Sequence, residues 1–461
     1  MNSPEQYDAI VIGTGQGGKP LAAAFARAGW KTAIIEKGRV GGTCVVEGCT
    51  PTKTMVASAR VAHLARRAVD YGVTTGPVSV DVEAVRRRKR DIVDSWSAGS
   101  QKGLERQDNL DLILGTASFT GQRMLQVTSA DAAGMPARLL TAGKIFINTG
   151  ARPSVPPIPG LGSVDFLDST SIMELAQAPG HLIVLGGGFI GLEFGQMFHR
   201  FGSRVTIVEG SPRLVSGEDE DVSKELEKIL REEGIEILTE ATVRSVGHSG
   251  RCIEVAIDGL TVQGTHLLVA AGRVPNSDLL NPAAAGIELD ERGYIAVNEQ
   301  METSAPGVYA LGDITGAPPF THIAYDDYRI LRRIHLGGED ASRAGRQVPY
   351  TLFTDPQLGR IGLTEREARQ RGLDVRVAKL PMSRVARAIE TDETRGFMKA
   401  VVDADTDLIL GAAVLGIEGG EVATVVQMAM MGGVPYTAIK DGVFSHPTLS
   451  ESLNNLFMTM D

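Results

Sequence analysis

Apolar runs and glycine-rich turns alternate along the first two thirds of the chain. The run Tyr7 to Ile12 is short, apolar and bounded by a turn, which reads as a buried strand. Gly13 to Gly18 form the turn, and a helix-like stretch from Lys19 to Ala28 follows. A second strand, Lys31 to Ile35, ends at Glu36. The same order returns later: strand His181 to Leu185, turn Gly186 to Gly191, a helix-like stretch, and strand Arg204 to Val208 ending at Glu209. Gly13, Gly15, Gly18 and Glu36 recur as Gly186, Gly188, Gly191 and Glu209, each at an offset of 173. From about Val348 the pattern changes to alternating strands, among them Phe397 to Val402 and Leu408 to Leu415. Helices at Gly420 to Met431 and after Pro447 close the chain, so this third part reads as α+β.

Strand, glycine turn, helix, strand and terminal acid form the order of a dinucleotide fold. The first glycine permits the tight turn, the second lets backbone approach a pyrophosphate, and the third lets helix pack on strand. The helix N-terminus then faces the phosphates. A terminal carboxylate accepts hydrogen bonds from a ribose and repels a 2′-phosphate. At the end of the second unit Glu209 therefore favours an unphosphorylated ribose, while Arg213, four residues on, could reach a phosphate. One such glycine motif is weak evidence; two in matched context are strong. Each unit ends in glycine and proline punctuation suited to a chain crossing between domains: Thr149-Gly150-Ala151-Arg152-Pro153 and Gly272-Arg273-Val274-Pro275. A further strand, Gly307 to Leu311, ends at Gly312-Asp313.

The length of 461 residues calls for about two to four domains. A net charge of -10 argues against a nucleic-acid partner. The basic run Arg86 to Arg90 sits among Asp81, Glu83, Asp91 and Asp94 and reads as a solvated helix face. No apolar run reaches the about 18 residues of a membrane span. The opening residues carry no secretory signal, so a cytoplasmic protein is expected. Three cysteines are too few for a disulfide scaffold, and a close pair in such a protein is catalytic or metal-binding.

That pair lies in Gly41-Gly42-Thr43-Cys44-Val45-Val46-Glu47-Gly48-Cys49-Thr50-Pro51-Thr52-Lys53. On a regular helix, residues five apart rise about 7.5 Å. A disulfide needs about 4.4–6.8 Å between Cα atoms, so the pair closes only if the helix start is distorted. A thiolate at a helix N-terminus is stabilised by the positive helix end. No nearby histidine completes a metal site, and none is predicted; His63 reads as a packed or exposed residue. Cys252 reads as a buried, inert thiol. Near the C-terminus, His446 offers an acid–base partner, histidine being the side chain suited to proton exchange near neutral pH, and Glu451 could hold its imidazole in one tautomer.

Taken together, the GGTC…GC.P.K segment, the two glycine units, the Tyr309 to Asp313 strand and the HPTxxE ending resemble the FAD-dependent pyridine nucleotide–disulfide oxidoreductases, the class of lipoamide dehydrogenase, glutathione reductase and mercuric reductase. The resemblance spans essentially the whole chain. It implies an α/β fold with two Rossmann-like dinucleotide-binding domains and a C-terminal α+β dimerisation domain. The implied bounds are 1–151 with 273–345 for FAD, 152–272 for the nicotinamide cofactor, and 346–461 for dimerisation. FAD is expected on Gly13, Gly15, Gly18, Glu36, Gly42, Thr43, Lys53, Thr149, Gly150, Gly312 and Asp313. The nicotinamide cofactor is expected on Gly186, Gly188, Gly191, Glu209 and Gly272. Cys44 resembles the interchange thiol that meets a disulfide substrate, and Cys49 the thiol beside the flavin. Lys53 and Glu193 resemble a pair near the flavin's reactive edge. His446 and Glu451 resemble a dyad supplied across a homodimer interface. Val46 and Glu47 depart from the family's usual redox loop, Phe444 replaces a usual histidine of lipoamide dehydrogenases, and the C-terminus lacks the vicinal cysteines of mercuric reductases. Disulfide reduction is the expected activity. Metal-ion reduction by the same thiols, a flavin monooxygenase and a redox sensor are the alternatives.

Overall fold

A computed structural model describes residues 3–129 and 137–460. The chain divides into two compact units, one drawn from residues 1–54, 84–154 and 272–346, the other from 55–83, 155–271 and 347–461. Among the described residues, no helix is long and apolar enough to cross a membrane.

The first unit is built on a parallel sheet in the order Leu110–Leu114, Thr32–Glu36, Glu5–Ile12, Arg138–Ile147, with Val308–Ala310 beside the last. The antiparallel strands Met124–Thr128 and Thr116–Gly121 extend the same sheet. Successive side chains serve opposite faces. Ile10 and Ile12 join a core with Phe119, Leu125 and Val308, while Ala9 and Val11 join one with Leu21, Phe25 and Phe146. Cover on both faces explains why the central strand reads as a continuous apolar run. The two punctuation segments pair with each other: Ala151–Pro153 lies antiparallel to Arg273–Pro275. Arg152 fixes the crossing with a two-pronged bond to Asp278 at 2.9 and 2.8 Å.

The second unit repeats the parallel arrangement in the order Glu236–Leu238, Arg204–Val208, His181–Leu185, His266–Val269. A three-stranded antiparallel sheet, residues 243–264, packs into the same core. Separately, Tyr350–Leu352, Gln357–Gly362, Ile409–Gly416, Phe397–Asp403 and Val375–Pro381 form a five-stranded antiparallel sheet. Helices Gly419–Met431 and Ser452–Met458 bury Val422, Val426, Leu453, Leu456 and Phe457 against it.

Two expectations need correction. The basic run lies in the helix Val82–Glu105, and Arg87, Arg88 and Arg90 are exposed, but Lys89 is only 3% exposed. Lys89 shares the helical face of Val82, Val93 and Ser97, all buried, so the 3.6 period carries it inward. Cys252 is half-buried, not buried, because it opens the strand Cys252–Ile257 opposite Ser249 at the end of a hairpin.

Candidate active site and nucleotide cradles

The sequence repeat returns as a repeat of hydrogen bonds. Gly13 N–H donates to Ile35 O at 2.8 Å, and Gly186 N–H to Val208 O at 2.9 Å. The Glu36 carboxylate accepts from Thr14 N (3.0 Å) and Gly38 N (2.9 Å). Glu209 accepts from Gly187 N and Ser211 N, both at 2.6 Å. The first and third glycines are required by backbone packing. A Cβ on Gly13 would stand 2.3 Å from Asn148 O, and one on Gly18 2.2 Å from Gly13 O. The matching clashes are 2.5 Å from Ala270 O at Gly186 and 2.0 Å from Gly186 O at Gly191. Nothing lies within 4 Å of a Cβ on Gly188, so this position is open to a ligand. It lines a pocket of about 270 Å³ together with Phe189, Glu209, Arg213, Glu218 and Tyr350.

In the first cradle, Gly42 holds a φ of +66°, and a Cβ there would stand 2.5 Å from Gly15 Cα. The cysteine segment therefore rests directly on the glycine turn. Thr149 Oγ1 is buried and has no hydrogen-bond partner among the described residues, an acceptor and donor held ready for a polar ligand. Burial pushes the Asp313 carboxyl above its ordinary range, with Arg273 partly opposing. Gly150, at φ +65°, has open space around it. These residues fit a flavin dinucleotide. Two supports escaped the sequence reading. Asn148 accepts from Gly18 N and donates to Leu311 O, both at 2.9 Å, tying the turn to the residue that precedes the short helical turn Gly312–Thr315 bearing Asp313. Fully buried Asp327 accepts from Gly312 N at 2.8 Å and pairs with Arg346. Neither residue has a local signal, since each acts on backbone remote in sequence.

Cys44 lies in the short helix Gly42–Val46, and Cys49 opens the helix Cys49–Arg66. The break at Glu47-Gly48 is the distortion that a close pair requires, and Pro51 falls in the first turn, where its missing N–H costs no helical bond. Both thiols are free, Cys44 half-buried and Cys49 exposed. They are hydrogen-bonded to each other, and this bond is the largest influence on both. It lowers Cys49 and raises Cys44. Burial works against the Cys49 thiolate; the Thr321 hydroxyl and the Lys53 charge support it, and the result is about 6. Thr321 Oγ1 stands 3.2 Å from Cys49 Sγ and begins the helix Thr321–Gly337. No sequence signal marked Thr321, which is 272 residues from Cys49. Val46 is half-buried and Glu47 exposed, and the Glu47 N–H bonds Thr43 O at 2.9 Å.

In the second unit, His446 Nδ1 lies 2.9 and 3.0 Å from the two Glu451 oxygens. A tight turn shapes this pair: Thr448 Oγ1 donates to Ser445 O and accepts from Glu451 N. The His446 side chain is 68% exposed. Glu193, 5% exposed, accepts from Phe353 N at 2.9 Å. Lys53 belongs to the first unit and Glu193 to the second. His63 is half-buried with Nε2 unpartnered among the described residues, and burial lowers it to about 4, so it stays neutral.

Residues 7–327 match the family described as pyridine nucleotide-disulphide oxidoreductase, and residues 348–457 match its dimerisation domain. The chain belongs to this family. It is an FAD-dependent pyridine nucleotide–disulfide oxidoreductase with a dimerisation domain at its C-terminus. The chain is 40% identical to the probable pyridine nucleotide-disulfide oxidoreductase RclA of Escherichia coli, over 98% of this chain and 99% of that one. It is 36% identical to a dihydrolipoyl dehydrogenase of Thermus scotoductus, over 97% and 96%, and 34% identical to a mercuric reductase of Lysinibacillus sphaericus, over 99% and 83%. The solved Cu(II) complex of the HOCl-induced flavoprotein disulfide reductase RclA from Escherichia coli superposes with a TM-score of 0.92 at 38% identity, covering 100% of both chains.

Proposed function

We propose that this enzyme uses NADH to reduce a small disulfide substrate through the Cys44–Cys49 pair. The observation that carries the reading is the thiol pair itself: two free sulfurs at a helix break, Cys49 Sγ 3.2 Å from the Thr321 hydroxyl, in surroundings that favour the thiolate at Cys49 over Cys44. FAD supplies the relay between a hydride donor and a thiol pair. His446 takes the Cys44 proton, the Cys44 thiolate attacks the substrate disulfide and expels one substrate thiolate, and Cys49 then closes on Cys44 and expels the other. His446, held by Glu451, gives the departing thiolate its proton, and Lys53 and Glu193 act at the flavin's reactive edge. His446 and Glu451 come from the second subunit of a homodimer. The domain bounds that go with this reading are 1–151 with 273–345 for FAD, 152–272 for the nicotinamide cofactor and 346–461 for dimerisation. Its redox thiols suit a reducing compartment, and we assign the enzyme to the cytoplasm.

The NADH preference rests on Glu209, whose carboxylate is already fixed by two backbone N–H groups and would face a 2′-phosphate as a like charge. Arg213 lines the same pocket, 3.9 Å from the exposed Glu220, and keeps NADPH as the second option. The expected outcome is a kcat/KM for NADH at least about tenfold above that for NADPH; a preference for NADPH would end this reading of Glu209. A second reading, reduction of a soft metal ion by the same thiols, is favoured by the Cu(II) complex of the solved relative. A steady-state screen of both nucleotides against lipoamide, glutathione disulfide, Hg²⁺ and Cu²⁺ decides between them. Disulfide turnover that is lost in Cys44→Ser supports the proposal, whereas metal reduction with no disulfide turnover replaces it.

A further inference from the structure

The pocket beside Gly188 holds a buried polar cluster that the reaction just described does not use. Glu218 is 1% exposed and accepts a hydrogen bond from the Tyr350 hydroxyl. Arg360, 2% exposed, lies behind it with Nε 3.7 Å from Glu218 Oε2. Glu218 Oε2 and both Arg360 Nη atoms are buried and make no hydrogen bond among the described residues. A buried charge pair with incomplete hydrogen bonding is poor value for stability alone. Its one ordered consequence is at Tyr350, whose ring is fixed against Phe189 with centroids 5.3 Å apart.

The location of that ring follows from the helix Phe189–Phe201. Phe189, Glu193, Gln196 and Arg200 lie on one face of it, and this face runs along residues 350–355. Phe189 meets Tyr350, Glu193 accepts from Phe353 N, Gln196 exchanges bonds with the Asp355 backbone at 2.8 Å each way, and Arg200 pairs with the Asp355 carboxylate. The Phe189–Tyr350 contact thus stands between the phosphate-facing Gly188 and Glu193. A dinucleotide with its pyrophosphate at Gly188 and its adenosine ribose on Glu209 has only its nicotinamide half left to extend in that direction.

We propose that Tyr350 is a nicotinamide-positioning residue, its ring forming with Phe189 the wall on which the nicotinamide-riboside half docks, while Glu218 and Arg360 hold it in place. The inference rests on binding of a pyridine nucleotide at the second glycine unit. The test is rapid-mixing flavin reduction over a range of NADH concentrations, with ADP as a competitor that carries the adenosine half alone. Tyr350→Ala raises the NADH concentration for half-maximal reduction by about tenfold. Tyr350→Phe, which keeps the ring, raises it by about threefold, and Glu218→Gln matches Tyr350→Phe. Inhibition by ADP stays at the wild-type level in all three. FAD content and melting temperature identify a variant that fails to fold, and Tyr350→Phe then decides. An unchanged NADH dependence overturns the proposal, as does a parallel loss of ADP inhibition, which would make the cluster a support of the whole pocket. Failure of the wild type to be reduced by either nucleotide would instead overturn the underlying assignment.

Discussion

Cys49 takes its state first from the Cys44 hydrogen bond, and the Thr321 hydroxyl adds to it. A thiolate at a helix start is favoured by the helix dipole, and each donated hydrogen bond favours it further. With Cys44 and Thr321 both near its sulfur, Cys49 sits at about 6. The sign is direct: above that pH the reduced enzyme holds Cys49 as thiolate, and below it the thiolate is lost. A thiolate against oxidised flavin absorbs at long wavelength, so titrating this band in the two-electron-reduced enzyme should show it fade as pH falls through about 6. Thr321→Val should move the midpoint up by about one unit, while Thr321→Ser should hold it near wild type. Equal midpoints for wild type and Thr321→Val would remove Thr321 from this role. The cysteines were legible in the sequence because chemistry and spacing coincide in one short segment. Thr321, Tyr350 and Asp327 were not, because each is an ordinary residue type made important only by a partner far along the chain.

The helix Phe189–Phe201 carries two jobs on one element. In the proposed reading its first turn faces a nucleotide, and its last turn is anchored by Arg200, 4% exposed, which bonds Asp355 at 2.6 Å and Glu233 at 2.7 Å. Arg60 and Arg395 complete the cluster, at 2.8 Å from Asp355 and 2.5 Å from Glu233. Burial pushes both carboxyls up, but the surrounding guanidinium groups outweigh it and leave both below their ordinary range. A carboxyl depressed in the folded state contributes stability that is present above its unfolded value and is lost as pH falls through its folded value. Urea melts taken from neutral to acid pH should therefore show stability falling in the acid range. Arg200→Met should cost about 3 kcal/mol at neutral pH, because it removes the one buried cation shared by the two carboxylates and leaves them only the more exposed guanidinium groups of Arg60 and Arg395, and should flatten the acid dependence. A loss below about 1 kcal/mol would mean that Arg60 and Arg395 suffice without it. At this scale the sequence was informative about the repeat, since period and glycine spacing are local properties. It was silent about the clamp, because Arg200 and Asp355 are joined only when the chain returns, 155 residues later.

At the scale of the whole molecule, the proposed acid–base role of His446 and Glu451 turns on which subunit's thiols the pair serves. His446 is locked by Glu451 yet leaves its side chain 68% exposed within the single chain. An imidazole held in one orientation and turned to solvent is prepared to meet a group that its own subunit does not enclose, and a symmetric dimer would supply that group twice. If the active sites are shared, Cys44→Ser and His446→Ala should complement each other. Each variant alone as a homodimer has two defective sites, one lacking the attacking thiol and the other the proton donor. A mixed dimer joins the intact Cys44 of one subunit to the intact His446 of the other, while its second site carries both defects. Co-expression with two different affinity tags allows the mixed dimer to be isolated, and it should recover about half the wild-type disulfide turnover, because one of its two sites is whole. The homodimers should be depressed by at least about two orders of magnitude, the contribution of a positioned proton donor. A mixed dimer no more active than its parents would show that His446 serves the thiols of its own chain. Recovery of Cu²⁺ reduction without any dependence on His446 would point to the metal as substrate, since a soft ion leaving two thiolates requires no proton from the imidazole.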